Sequence, residues 1–246
     1  MLLVIGVLFT GISLGQTVAP KSFAPDGTVF AMKRKDNILY VGGGFNNVGV
    51  HTGGQAFFPN GSRLPDGRKA YIFGEVHTSV PDGNGGRYVG GLFDRVNSTT
   101  VSNLVHILPN ESVDQNFLPQ VDGIVDVIVM WNDTMMFGGD FLNVNGTNRS
   151  YLAAIDMSNG NLTNWDPQAD DRVRALKVTA DYVYAGGEFD RMGPYDQRAV
   201  AKIDRVTGES EYFIGPTGGT VHDMEIENDL LYTVGDFSGA SGYYTG

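Results

Sequence analysis

Asp140, Glu188 and Asp236 follow one another at intervals of 48 residues, so in a chain built of repeats they occupy one structural position. Carboxylates held at equal height around an axis would offer the oxygen ligands that a hard cation such as Ca2+ prefers. They are also the only acids placed to serve a hydrolase or lyase working in an axial channel. Gly44 and Leu92 stand at the two equivalent positions nearer the N-terminus and break the ring. The other reading of the three acids is therefore a polar strand end facing solvent. His51, His77, His106 and His222 share no repeat position and form neither HExxH nor HxH, which leaves no pattern for a zinc centre. Asp156 and Asp204 precede Gly160 and Gly208, a spacing that fits hairpin turns in which a carboxylate accepts backbone N–H bonds.

Other catalytic signatures are missing. There is no serine elbow, P-loop or dinucleotide fingerprint, and Gly83-Asn84-Gly85-Gly86 reads as a loop because no helical pattern follows it. An enzyme must bring different residue types from different elements to one point. This sequence repeats similar residues instead, so no cofactor and no catalytic residue is expected.

The elements that would position these acids are legible from the same interval. Tyr40-Val41-Gly42-Gly43-Gly44-Phe45 recurs as Tyr88-Val89-Gly90-Gly91-Leu92-Phe93, Met136-Phe137-Gly138-Gly139-Asp140-Phe141, Tyr184-Ala185-Gly186-Gly187-Glu188-Phe189 and Tyr232-Thr233-Val234-Gly235-Asp236-Phe237. A second landmark, an aromatic at Phe23, Tyr71, Phe117, Trp165 and Phe213, keeps the phase and is followed within three residues by Pro in four of the five cases. After it come a turn and an apolar run such as Val125 to Met130 or Val173 to Val178. A third run follows the Gly-Gly motif, as in Leu152 to Ile155 and Val200 to Ile203, and a short fourth segment closes the unit. Four short strands per repeat with no helical period predict an all-β fold of propeller blades. A β-solenoid is the competing geometry; its coils are usually shorter, about 20 to 30 residues.

The units resemble the delta-60 repeat of bacterial extracellular propellers, a kelch-like arrangement, and are similar to the repeats of the fungal cortical landmark proteins that mark bud sites. Both are built on a strand ending in Val-Gly-Gly-x-Phe, and Leu104 to Phe117 is closest to the delta-60 pattern. The resemblance covers nearly all of residues 16–246 and is weakest over Gly53 to Val76. It implies a fold, and it implies binding rather than chemistry, because such repeats carry no catalytic motif.

Residues 1–15 form an apolar run too short to span a bilayer and end in Ser13-Leu14-Gly15, the pattern of a cleaved secretory signal. No later segment is long and apolar enough for a transmembrane helix. A net charge of -11 with only 17 Lys and Arg, none in a basic block, argues against nucleic acid as a partner. With no Cys, neither disulfides nor thiolate metal sites are possible. Asn60, Asn97, Asn110, Asn132, Asn145, Asn148 and Asn161 begin Asn-x-Ser/Thr sequons, each in a predicted turn. These features predict a secreted or cell-surface glycoprotein whose partner is an extracellular protein or a glycan. Strand counting predicts four complete blades and a partial fifth, with Thr17 to Phe23 as an isolated fourth strand. On that count the chain is a C-terminally truncated piece with an unpaired edge on its last blade.

Overall fold

The computed structural model describes residues 23–25, 28–35, 38–44 and 48–50 as strand backbone, and residues 70–216, 218–237 and 239 in full. The apolar run 1–15, His51 and the Asn60 sequon lie outside the described residues, as does most of the divergent stretch after Gly53. The chain forms two compact units, Met1–Tyr71 and Ile72–Gly246. In the first, β2 (Thr28–Lys35) and β3 (Ile38–Gly44) make an antiparallel hairpin, and β1 (Phe23–Pro25) pairs with β4 (Val48–Val50).

The second unit is a series of antiparallel sheets. Sheet one contains β5 (Ile72–Pro81), β6 (Arg87–Val96), β7 (Thr99–Thr100) and β8 (Leu104–Ile107), with β6 central. Sheet two is built from β9 (Ile124–Trp131), β10 (Thr134–Asp140), β13 (Leu152–Asp156) and β14 (Asn161–Leu162) in that spatial order. The small hairpin β11 (Asn143–Val144) and β12 (Thr147–Asn148) is inserted after β10. Sheet three repeats this plan with β15 (Val173–Val178), β16 (Tyr182–Gly187), β19 (Val200–Asp204) and β20 (Ser210–Glu211). Its inserted hairpin is β17 (Arg191–Met192) and β18 (Tyr195–Asp196). Finally β21 (Thr220–Glu227) and β22 (Leu230–Asp236) form a two-stranded sheet. Every ladder between described strands is antiparallel, whereas a solenoid would stack its coils in parallel register. The sheets are meanders of the blade type, with no helix among the described residues. The fourth strand is shorter than the sequence suggests; in sheet one it shrinks to a single bridge between Ile107 and Val113.

The Gly-Gly motif lies on the second strand of each sheet, and its two glycines do different work. A Cβ on Gly138 would approach Val173 Cγ1 of the next sheet to 2.7 Å, so the missing side chain lets sheets two and three close together. A Cβ on Gly139 would run into the carbonyl oxygen of Ile124 within its own sheet. The crowding arises from a β-bulge opposite the motif: Gly138 faces Val127 and Gly139 faces Val125, leaving Asp126 as an extra residue. The bulge recurs opposite each of the other four copies of the motif, with Phe30, His77, Arg174 and His222 as the extra residues.

Core slabs fill the spaces between successive sheets. Val125, Ile128 and Phe137 of sheet two meet Leu104, Phe117 and the half-buried Tyr88 of sheet one, while Met136 and Leu152 meet Leu176 and Val183 of sheet three. Val221 and Met224 of the last hairpin pack on Ala175 and Val200 with the half-buried Tyr184 and Phe213. The motif phenylalanines Phe93, Phe141 and Phe189 are buried, each with an apolar residue three positions on, Val96, Val144 and Met192. In sheet two the second and third strands are almost continuously apolar and buried, as expected of strands covered on both faces. The first strands are only half-buried, because each is the outer strand of its sheet.

Candidate functional site

The bulge residues carry most of the charge chemistry of the first strands. A bulge re-aims the extra side chain off the pleat, and in the second unit that residue is His77, Asp126, Arg174 or His222. Asp126 sits at the centre. Its Oδ1 lies 2.7 Å from His77 Nδ1 of sheet one, and its two oxygens accept Arg172 Nε at 2.6 Å and Nη2 at 2.8 Å from sheet three. The Asp126 side chain is 9% exposed. Burial works against its ionisation, but the hydrogen bonds and charges of Arg172 and His77 outweigh it and hold the carboxyl below its usual range. The same pairing, ahead of burial, raises Arg172 above its ordinary value.

The three acids singled out by spacing sit at the ends of β10, β16 and β22. Glu188 accepts Arg174 Nε at 2.6 Å, and Asp236 lies 2.9 Å from His222 Nε2. In each case the partner is the bulge residue of the same sheet, fourteen positions earlier in the chain. In sheet two the bulge residue is itself an acid, so Asp140 stays exposed and adds its charge to the field around Arg172 and Tyr151. Among the described residues no three carboxylate or imidazole groups stand close enough to hold a metal ion.

Asp156 and Asp204 do what their spacing predicts. Asp156 Oδ1 accepts the Ser158 hydroxyl at 2.6 Å and its N–H at 2.9 Å, and Asp204 Oδ1 accepts the N–H groups of Thr207 and Val206 at 2.7 and 2.9 Å. The Ser158 bonds, foremost for Asp156, and the Thr207 N–H, foremost for Asp204, hold both carboxyls below the usual range. A second set of clamps escapes the sequence reading. Asp122 Oδ1 accepts the N–H groups of Leu142 and Asn143, and Asp170 Oδ1 accepts those of Asp190 and Arg191, all displaced by 48 residues. They tie each inserted hairpin to the loop before the first strand. The 48-residue spacing of Asp122 and Asp170 was the available signal.

His106 is the centre of a third arrangement in sheet one. Its Nδ1 lies 2.9 Å from Asp114 and its Nε2 lies 3.0 Å from Asp82, while its ring stacks on Tyr88 at 4.3 Å. Asp82 also accepts the N–H groups of Asn84 and Gly86, so the glycine-rich loop is a hairpin turn pinned to the third strand. Burial opposes the ionisation of Asp82, yet these donors keep its carboxyl lowered. The described sequon residues Asn97, Asn110, Asn132, Asn145, Asn148 and Asn161 are all exposed. Asn97, Asn132 and Asn145 adopt the left-handed conformation of turns.

No family model matches the chain, and no curated protein matches it. Among solved structures it is similar to the computationally designed Ika8 protein, at 13% identity and a TM-score of 0.49, over 85% of this chain and 57% of that one. It is also similar to the WD40 β-propeller domain of Doa1, at 12% identity and a TM-score of 0.46, over 85% of this chain and 60% of that one. The chain thus spans less than two thirds of the length of either structure.

Proposed function

We propose that the chain is a non-catalytic binding and scaffolding module of the β-propeller class, working outside the cell or at its surface. The observation that carries this reading is the use to which the acids are put. Asp126 and Glu188 are held in ion pairs with arginines, Asp236 lies within hydrogen-bond distance of His222, and Asp82, Asp122, Asp156, Asp170 and Asp204 clamp loops and turns. Acid–base catalysis needs a group poised near the working pH, and lowered carboxyl values run the opposite way. The extracellular setting is supported by the apolar run 1–15 and the sequons up to Asn161. The Val-Gly-Gly-x-Phe repeat supports kinship with the delta-60-type or fungal cortical landmark repeats. A screen of the secreted chain against ester, glycoside and phosphate substrates tests the reading. No turnover is expected; turnover abolished by Asp140→Asn or Glu188→Gln overturns it.

A further inference from the structure

The outer face of the last hairpin departs from the repeat in a directed way. In sheets two and three this face seats the next sheet. The cross-strand pairs there are Val127 with Gly138 and Val129 with Met136, then Ala175 with Gly186 and Lys177 with Tyr184. Val127 and Val129 pack against the core shared with sheet three, and Tyr184 against the core shared with the last hairpin. The equivalent pairs on β21 and β22 are Asp223 with Val234 and Glu225 with Tyr232, and Glu227 faces Leu230 one pair further along. Residues directly opposite on antiparallel strands share a face. That face therefore carries an acidic row beside an apolar row.

The rows are exposed. Leu230, Tyr232 and Val234 are 59%, 51% and 59% exposed, and Asp223, Glu225 and Glu227 are exposed as well. Val234 replaces the first glycine of the motif, the residue whose missing side chain lets the following sheet approach, so a sheet of the ordinary kind does not fit here. Asp223, which stands where sheets two and three have Val127 and Ala175, disfavours it further, since burying an unpaired carboxylate is costly. From Val206 to Gly246 the chain has Glu209, Glu211, Asp223, Glu225, Glu227, Asp229 and Asp236 but no Lys or Arg. Lys177 reaches Glu225 from sheet three and leaves Asp223 and Glu227 as the acids available to a partner. No sequon falls after Asn161, so no N-linked glycan is expected on this hairpin.

We propose that the outer face of the β21–β22 hairpin is the docking surface for an extended, basic and apolar segment of a partner protein. This rests on the reading of the chain as a binding module and places the contact on a sheet face. The segment crosses the hairpin as a first strand crosses the sheet before it. Its Lys or Arg side chains meet Asp223 and Glu227, and its apolar side chains cover Leu230, Tyr232 and Val234.

The test follows backbone amide shifts of the full chain during titration with a peptide of alternating lysine and valine. Saturable shifts confined to β21 and β22 are expected. Asp223→Lys with Glu227→Lys, and separately Tyr232→Ser with Val234→Ser, should each weaken binding roughly tenfold or more. A peptide of alternating glutamate and valine should not bind. Because all four residues are exposed, retained circular dichroism separates lost binding from lost folding. Shifts scattered over other acidic loops, binding indifferent to the variants, or no binding overturns the proposal. Self-association abolished by the same variants also overturns it, making a second copy the occupant. None of these outcomes involves substrate turnover, which alone would overturn the reading as a binding module.

Discussion

Asp126 shows how a single residue can be both chemically conspicuous and structurally committed. It is a carboxylate that is almost fully buried, and it remains ionised because Arg172 donates two hydrogen bonds to it and His77 adds a third contact. A carboxyl whose folded pKa lies below its unfolded value, about 3.9, stabilises the fold fully above that unfolded value. The stabilisation is lost as pH falls through the folded pKa. Asp126→Asn should therefore cost about 2 kcal/mol near neutral pH, since it removes the charge that receives both Arg172 hydrogen bonds and the His77 contact. The cost should shrink as denaturation is repeated at pH values below about 4, where wild-type Asp126 is itself losing its charge. Denaturant unfolding of both proteins across that range checks the prediction. A cost independent of pH would mean that the Asp126 charge does not matter. This role is not legible in the sequence, because Asp126 looks like a polar interruption in an apolar strand and its partners lie 46 and 49 residues away.

At the scale of elements, the motif glycines make the strand pairing and sheet stacking testable. Gly139→Ala drives a methyl group into the Ile124 backbone, which cannot move without opening the β9–β10 ladder, so a loss of at least about 2 kcal/mol is expected. Gly146 lies in the turn of the inserted hairpin at φ +75° with open space around it. Gly146→Ala should cost only about 1 kcal/mol, from the backbone conformation alone. Equal losses in equilibrium unfolding would contradict the assigned packing. Strand order, blade plan and the two glycines were legible in the sequence because a repeated apolar run ending in Gly-Gly admits little else. The inserted hairpins were not, since strands of two residues have no periodicity to detect. Nor were the bulges: one extra residue breaks the alternation without leaving a compositional trace, and His77 sits one residue out of the 48-residue phase.

At the scale of the molecule, the second unit holds its sheets together through core slabs between neighbours, as repeat architectures do. The charged groups add a further tie, and Asp126 is where it spans three sheets, receiving His77 from β5 and Arg172 just before β15. The three acids on the last hairpin's outer face, Asp223, Glu225 and Glu227, mark where the repeat turns from packing to presentation. The central claim is that the acids of the inner sheets are structural and leave the surface free for binding. A double-mutant cycle of Asp126→Asn and Arg172→Gln in equilibrium unfolding tests it most directly. The account predicts a coupling energy of at least about 1.5 kcal/mol between the two sites; losses that add within about 0.5 kcal/mol would contradict it.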